Sequence, residues 1–155
     1  MLARALTAMF LAAAVSASTA GGGDKGSVTS PDLDAKVAAL VEEALVEETE
    51  AQAFQKLEAL GCPAVPAIVK HLDDRRKLPV AYIRLQNHSA DAFEAFRQYG
   101  PKVLTDALAA ILNQVTGQHF GFIYNGGTEE ERAKVVKGWR EFVAKTPPEK
   151  LCTSF

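Results

Sequence analysis

Residues 53–72 read AFQKLEALGCPAVPAIVKHL, and this stretch decides the predicted fold. Its apolar residues recur at helical spacing on both sides of Gly61, a residue type that readily adopts the left-handed conformation that ends a helix. Cys62-Pro63 cannot continue the first helix, and Pro66 suits the first turn of a second one. Because the connection is short, the two helices must be antiparallel neighbours, and the stretch predicts a helical hairpin.

The same residues resemble one HEAT-type repeat unit, over about residues 50–72. In that family a first helix ends in Leu-Gly, as at Leu60-Gly61, and the sequence Ala-Val-Pro-Ala-Ile, as at residues 64–68, opens the second helix. The remainder of the chain would consist of degenerate repeats. HEAT-type repeats stack helical hairpins and mostly serve as protein-binding scaffolds. The resemblance therefore implies an all-α fold of antiparallel helical hairpins, a fragment of an α-α superhelix.

Apolar stripes and cap residues elsewhere in the chain predict further helices. In the last of them, Thr128 and Glu131 have the spacing of a capping box. Two ordered non-helical segments, at residues 73–89 and 117–127, separate the later helices, and the first of them allows a short edge strand or an irregular crossover. The predicted helices lie at about residues 31–47, 50–60, 64–72, 90–98, 101–116 and 129–145.

The composition fits one ordinary soluble globular domain. The 155 residues are 48% hydrophobic and 23% charged, which excludes a disordered or collagen-like chain. Lys and Arg total 17 against 19 Asp and Glu, for a formal net charge of −2. Such a balance provides no bulk positive field to attract nucleic acid or an acidic membrane.

Residues 1–20 have the three regions of a secretory signal peptide. Arg4 supplies the positive region, residues 5–15 are apolar, and Ser18-Thr19-Ala20 offers small residues at a cleavage site after Ala20. The alternative is a buried N-terminal helix. The apolar run is too short to span a membrane, so no permanent membrane anchor is predicted. We therefore expect a periplasmic or secreted protein with a flexible leader at residues 21–29 and a single helical domain at 30–155.

Export changes the interpretation of the two cysteines. Cys62 and Cys152 are the only cysteines of the chain, so they form the only possible intramolecular pair. An oxidising compartment favours a disulfide between them. The alternative is two free thiols.

The sequence contains no motif of a familiar enzyme class. A nucleophile elbow, a phosphate-binding loop, a dinucleotide fingerprint and a His-Glu-x-x-His helix are all absent from it. These absences do not exclude an enzyme, but they leave no catalytic residue, metal ligand or cofactor site to predict. His71, Asp73 and Asp74 are interpreted as a charge cluster at a helix C-terminus rather than as a metal site.

Candidate binding residues lie on the two non-helical segments, because loops on a rigid scaffold commonly carry contacts. If the segments meet, their polar and aromatic side chains would line one recessed face. The alternative is that Phe120, Phe122 and Ile123 cap the open end of the helical core. The candidate partner-binding residues are Tyr82, Arg84, Asn87, His88, His119, Tyr124 and Asn125.

These observations predict an exported, non-catalytic module that binds a protein partner in the cell envelope, with an inhibitor or immunity-type protein as one concrete form. One alternative is a small-ligand carrier or enzyme with a pocket formed by residues 117–127 and the helices. Another is a structural envelope component that associates with itself. The sequence leaves the oligomeric state open.

Overall fold

The computed structural model describes residues 30–89 and 91–152, so the predicted signal peptide and leader lie outside the described residues. Within this part of the chain no helix has both the length and the apolar character that crossing a membrane requires. The elements are, in chain order, α1 (Ser30–Glu43), α2 (Glu50–Ala59), a 3₁₀ turn (Cys62–Ala64), α3 (Val65–Lys70), β1 (Ile83–Gln86), β2 (Phe96–Tyr99), α4 (Leu104–Thr116), α5 (Glu129–Lys145) and a second 3₁₀ turn (Pro148–Lys150).

The prediction of an all-α fold of helical hairpins is wrong. Strands β1 and β2 pair antiparallel, with Ile83 opposite Tyr99 and Gln86 opposite Phe96, so the chain combines helices with a two-stranded sheet. In place of the helix predicted at residues 90–98, the described residues 91–98 form a loop followed by the first residues of β2. Backbone groups of a lone strand need partners, and pairing with β1 supplies them, which overrides the helical spacing of the aromatic residues.

Helix α4 is the centre of the fold. Every residue from Leu104 to Leu112 is buried, including Thr105 and Asp106. A helix that is buried on all sides needs neighbours on all sides, and α2, α3, α5 and β1 all pack against it. Helix α1 lies across α2 and α3 on the outside of this group.

The ends of the helices follow the local signals of the sequence. Gly61 follows α2 with a φ of 63°, a conformation that residues with a side chain rarely adopt. At the start of α5, the amide of Glu131 donates to Thr128 Oγ1 over 3.2 Å, and the amide of Thr128 donates to Glu131 Oε2 over 2.7 Å. The predicted capping box is therefore present.

A disulfide joins Cys62 to Cys152, as predicted, with 5.9 Å between the two Cα atoms. It ties the chain beyond α5 to the turn in front of α3, two positions that are 90 residues apart in sequence. Disulfides persist in oxidising environments, so the bond indicates an oxidising compartment.

Ion pairs hold the charged segment after α3 against the helices around it. Arg75 donates to Glu129 on α5, and Arg76 donates to Glu42 on α1.

The deepest pair lies between α4 and α5, where Arg132 binds both carboxylate oxygens of Asp106 over 2.8 and 2.9 Å.

Candidate functional site

The β-hairpin, residues 83–99, has one face toward the core and one toward solvent. Side chains alternate across a sheet, and here Ile83, Leu85 and Tyr99 are buried. The opposite face, which we call the hairpin face, carries Arg84, Gln86, Phe96 and Gln98, all of which are exposed. The guanidinium of Arg84 lies 4.4 Å from the centre of the Phe96 ring, within the range of a cation–π contact.

Aromatic side chains are exposed on and beside this hairpin. Phe93, in the loop between the strands, is fully exposed, while Phe96 is 45% exposed and Tyr82, immediately before β1, is 65% exposed. Single exposed apolar residues are normal, but a local group of large ones is typical of a contact surface. Of the five large hydrophobic side chains exposed in residues 30–89 and 91–152, these three lie here.

Hydrogen bonds fix the position of β1 against two helices. The amide of Gln86 donates to Glu58 Oε2 on α2 over 3.1 Å, and the amide of His88 donates to Gln114 Oε1 on α4 over 3.2 Å. His88 Nε2 lies 3.3 Å from Glu58 Oε1. Burial raises the pKa of Glu58, although the bond from Gln86 and the proximity of His88 oppose this increase.

A pocket of about 200 Å³, the Glu50 pocket, separates α2 from the hairpin. Its lining includes Glu50, Phe54, Tyr82, Ile83, Arg84 and Gln98. Glu50 is only 1% exposed, and its Oε1 has no hydrogen-bond partner. Burial, together with the nearby charge of Glu47, raises the pKa of Glu50 to about 7. The pocket therefore offers an unsatisfied acceptor in a lining that mixes apolar and polar side chains.

The second predicted segment meets the end of β2. The rings of Tyr124 and Tyr99 pack edge to face with centroids 5.7 Å apart, and Asn125 Oδ1 accepts a bond from the amide of Gly100 over 2.7 Å. Tyr124 is buried, and desolvation, with a smaller effect of Tyr99, raises its pKa to about 12. Tyr124 and Asn125 therefore contact the hairpin at the end of β2.

The aromatic residues of the same segment divide between core and surface. Phe120 packs on Trp139 with ring centroids 4.9 Å apart, and Ile123 is buried. Phe122 is 77% exposed, with its ring centroid 4.8 Å from that of His119. Phe120 and Ile123 therefore lie against the core, as expected if this segment caps the helical core, whereas Phe122 does not.

The candidate residues fall into two groups. Tyr82, Arg84, Asn87 and His88 lie on or next to β1, whereas His119, Tyr124 and Asn125 lie on the loop before α5. The second group joins the hairpin through Tyr99 and Gly100. The Glu50 pocket is lined by Tyr82 and Arg84 of the first group and by none of residues 117–127.

Four residues of this region are not predicted as functional from the sequence. Phe93 and Phe96 fall in the helix predicted at residues 90–98, and Glu50 and Glu58 fall in the helix predicted at residues 50–60. The four residues of β2 show no alternation of burial, because Phe96, Arg97 and Gln98 are exposed and only Tyr99 is buried, so they give no strand signal to set against a helical spacing. Nothing in the sequence around Glu50 indicates that its carboxyl is buried.

No group of three or more His, Cys, Asp or Glu side chains in the described ranges is arranged to hold a metal ion. Comparison of the chain with protein-family models, with curated proteins and with solved structures returns no match.

Proposed function

We propose that this chain is an exported, non-catalytic protein-binding module whose hairpin face contacts a protein partner in the cell envelope. The observation that carries the proposal is the fully exposed Phe93 side chain on a hairpin that is bonded to both α2 and α4. An aromatic side chain on a fixed support loses little conformational entropy when it enters a pocket, which is why such residues dominate binding energies.

The charges around the hairpin indicate the chemistry of the partner. Arg84 and Arg97 are exposed, and neither forms an ion pair with any described residue. A surface that fits would place an apolar recess over Phe93 and Phe96, with a carboxylate at its edge for Arg84. Arg97 stands opposite Leu85 on the other face of the sheet and lies outside this contact. A protruding aromatic loop of this kind suits insertion into the cleft of an exported enzyme, so an inhibitor or immunity-type protein is the concrete form that we favour.

Export is part of the proposal. The signal peptide at residues 1–20, cleaved after Ala20, would direct the chain to the periplasm or the medium, and the Cys62–Cys152 disulfide supports such a destination. In this view α2 and α3 form a single HEAT-type unit, about residues 50–72, that serves as the support of the hairpin.

The side chains of Phe120, Ile123 and Tyr124 lie against the core where a carrier or enzyme would need a cavity. This packing supports the binding module over a pocket at residues 117–127.

The proposal is tested by photo-crosslinking from two exposed apolar positions. A photoreactive phenylalanine analogue replaces Phe93 in one protein and Val46, which is 48% exposed after α1, in the other. Both are irradiated in envelope extract, and the products are identified by mass spectrometry. We expect a product from position 93 that position 46 does not give.

The captured partner is then purified, and its Kd is measured with the wild type, Phe93→Ala and Val46→Ala. We expect Phe93→Ala to weaken binding about tenfold or more, the range of a central aromatic contact, and Val46→Ala to change it little. Equal effects of the two substitutions, or the same crosslinked products from both positions, would contradict a role for the hairpin face.

A further inference from the structure

The carboxyl of Glu50 is buried without the partner that a buried acid normally has. It is 1% exposed, and no hydrogen bond or ion pair within the described part of the chain reaches it. Buried polar groups are almost always satisfied, and an unsatisfied one in a pocket wall marks a position where a donor from outside fits. A nonpolar residue at this position would make a more stable protein.

Arg84 is the positively charged residue in the lining of the pocket, but it forms no ion pair with Glu50. Its guanidinium lies over the ring of Phe96, which pairs with Gln86 at the other end of the sheet. The acceptor in the pocket therefore stays free while the arginine is engaged elsewhere on the hairpin face.

The shape of the pocket selects a slender cation on an apolar stem. Phe54 and Ile83 contribute apolar surface to its lining, and Tyr82 contributes an aromatic ring, a group that attracts a positive charge. A lysine side chain combines a four-carbon chain with a compact charge that donates three hydrogen bonds. It matches a buried acceptor in a pocket whose lining is partly apolar.

We infer that the Glu50 pocket receives a lysine side chain of the protein partner, whose ammonium group donates to the Glu50 carboxylate. The inference rests on the proposed function, because the pocket opens beside the hairpin face and both would be covered by one partner. It adds a second charged contact, with a negative group on this protein, to the contact made by the positive Arg84.

The test is a titration of the purified protein with small probes, followed by the amide NMR signals of α2 and β1. The probes are lysine capped as an N-acetyl methylamide, norleucine capped in the same way, and cadaverine. Capped norleucine keeps the stem and lacks the charge. We expect saturable shifts at Glu50 and Arg84 with capped lysine, and no saturable shifts with capped norleucine.

Two substitutions locate the effect. Glu50→Gln removes the charge and keeps the size, and we expect it to weaken binding of capped lysine about tenfold or more. Glu47→Gln removes a neighbouring exposed charge, and we expect a change of about twofold or less because the screened charge makes no direct contact. Thermal unfolding of both variants checks that each is folded.

Equal binding by Glu50→Gln and the wild type, or no binding of capped lysine, would overturn the inference. Cadaverine binding about tenfold tighter than capped lysine would also overturn it, in favour of a free diamine. The crosslinking at position 93 does not depend on this pocket. Loss of lysine binding with crosslinking intact removes the inference alone, whereas loss of crosslinking with lysine binding intact removes the proposed function.

Discussion

Glu58 on α2 accepts a hydrogen bond from the backbone amide of Gln86 over 3.1 Å, which joins the outer edge of β1 to a helix. An unpaired strand edge is open to other chains, and this carboxylate occupies part of it. The bond links α2 to the hairpin that carries Phe93. Together with the bond from the amide of His88 to Gln114, it sets the orientation of the proposed binding surface.

Glu58→Ala is expected to loosen the hairpin relative to α2. One hydrogen bond of this kind contributes about 1 kcal/mol, so amide exchange at Gln86 and its neighbours should accelerate about fivefold while exchange in α4 stays the same. Glu58→Gln keeps an acceptor oxygen and should stay close to the wild type. Hydrogen exchange followed by NMR measures both. Similar acceleration in the two variants would show that charge, and not the hydrogen bond, holds β1.

The ion pair of Asp106 and Arg132 makes a separate prediction about global stability. Asp106 is fully buried, and its Oδ2 also accepts bonds from the amides of Lys102 and Val103 in front of α4. Asp106→Ala leaves the buried guanidinium without its carboxylate, and we expect a loss of about 3–5 kcal/mol in the free energy of unfolding.

Urea denaturation measures this loss in the free energy of unfolding, provided that the m value of Asp106→Ala equals that of the wild type. Glu129→Ala is the matched control, because Glu129 also binds Arg132 but is 68% exposed. We expect little change from it, since exposed pairs contribute little. Comparable losses from the two substitutions would mean that burial does not decide the strength of these pairs.

Helices with their own boundary signals are the part of the fold that the sequence predicts well. Gly61 marks the end of α2 and Thr128 opens α5, because a left-handed glycine and a capping hydroxyl act within one turn of the chain. The stripe of α4 is strong enough to place that helix. Each of these features depends on neighbours in sequence.

The sequence allows a short edge strand within residues 73–89, where β1 lies, but it does not predict β2 or the pairing of the two strands, because the pairing joins residues that are distant in sequence. Phe93 and Phe96 are three apart, a spacing that suits a helix, whereas the strand forms because Phe96 meets Gln86 across the sheet. Glu50 similarly lines a pocket together with Arg84 and Gln98 of the hairpin, which are far from it in sequence. Spacing along the chain carries no information about either contact.

Removal of the disulfide tests how much the cross-link stabilises the fold by restricting the unfolded chain. Replacing Cys62 and Cys152 by alanine opens a loop of 90 residues, and the chain-entropy model gives a loss of about 4.6 kcal/mol. Chemical denaturation of the double variant against the oxidised wild type measures it. Intact mass after alkylation, with and without reductant, shows the bond directly. Labelling of both thiols in the native, unreduced protein would contradict it.

The raised pKa of Glu50 makes stability depend on pH in a definite direction. Glu50 titrates near 7 in the folded protein and near 4.5 when unfolded, so the folded state binds the proton more tightly. Its stabilising contribution is complete below about pH 4.5 and is lost as the pH rises through 7. Glu47 beside it strengthens this trend, and Arg84 in the pocket wall would weaken it only by leaving Phe96.

Glu50→Gln isolates this effect from that of Glu58, whose pKa burial also raises. We expect the wild type to lose about 2–3 kcal/mol more than the variant between about pH 5 and about pH 8. The variant should be the more stable protein at the higher pH, because it no longer holds a buried negative charge. Urea denaturation at several pH values measures the difference. Parallel pH profiles would mean that water reaches the Glu50 carboxyl and that its pKa is ordinary, in which case the pocket offers no desolvated acceptor.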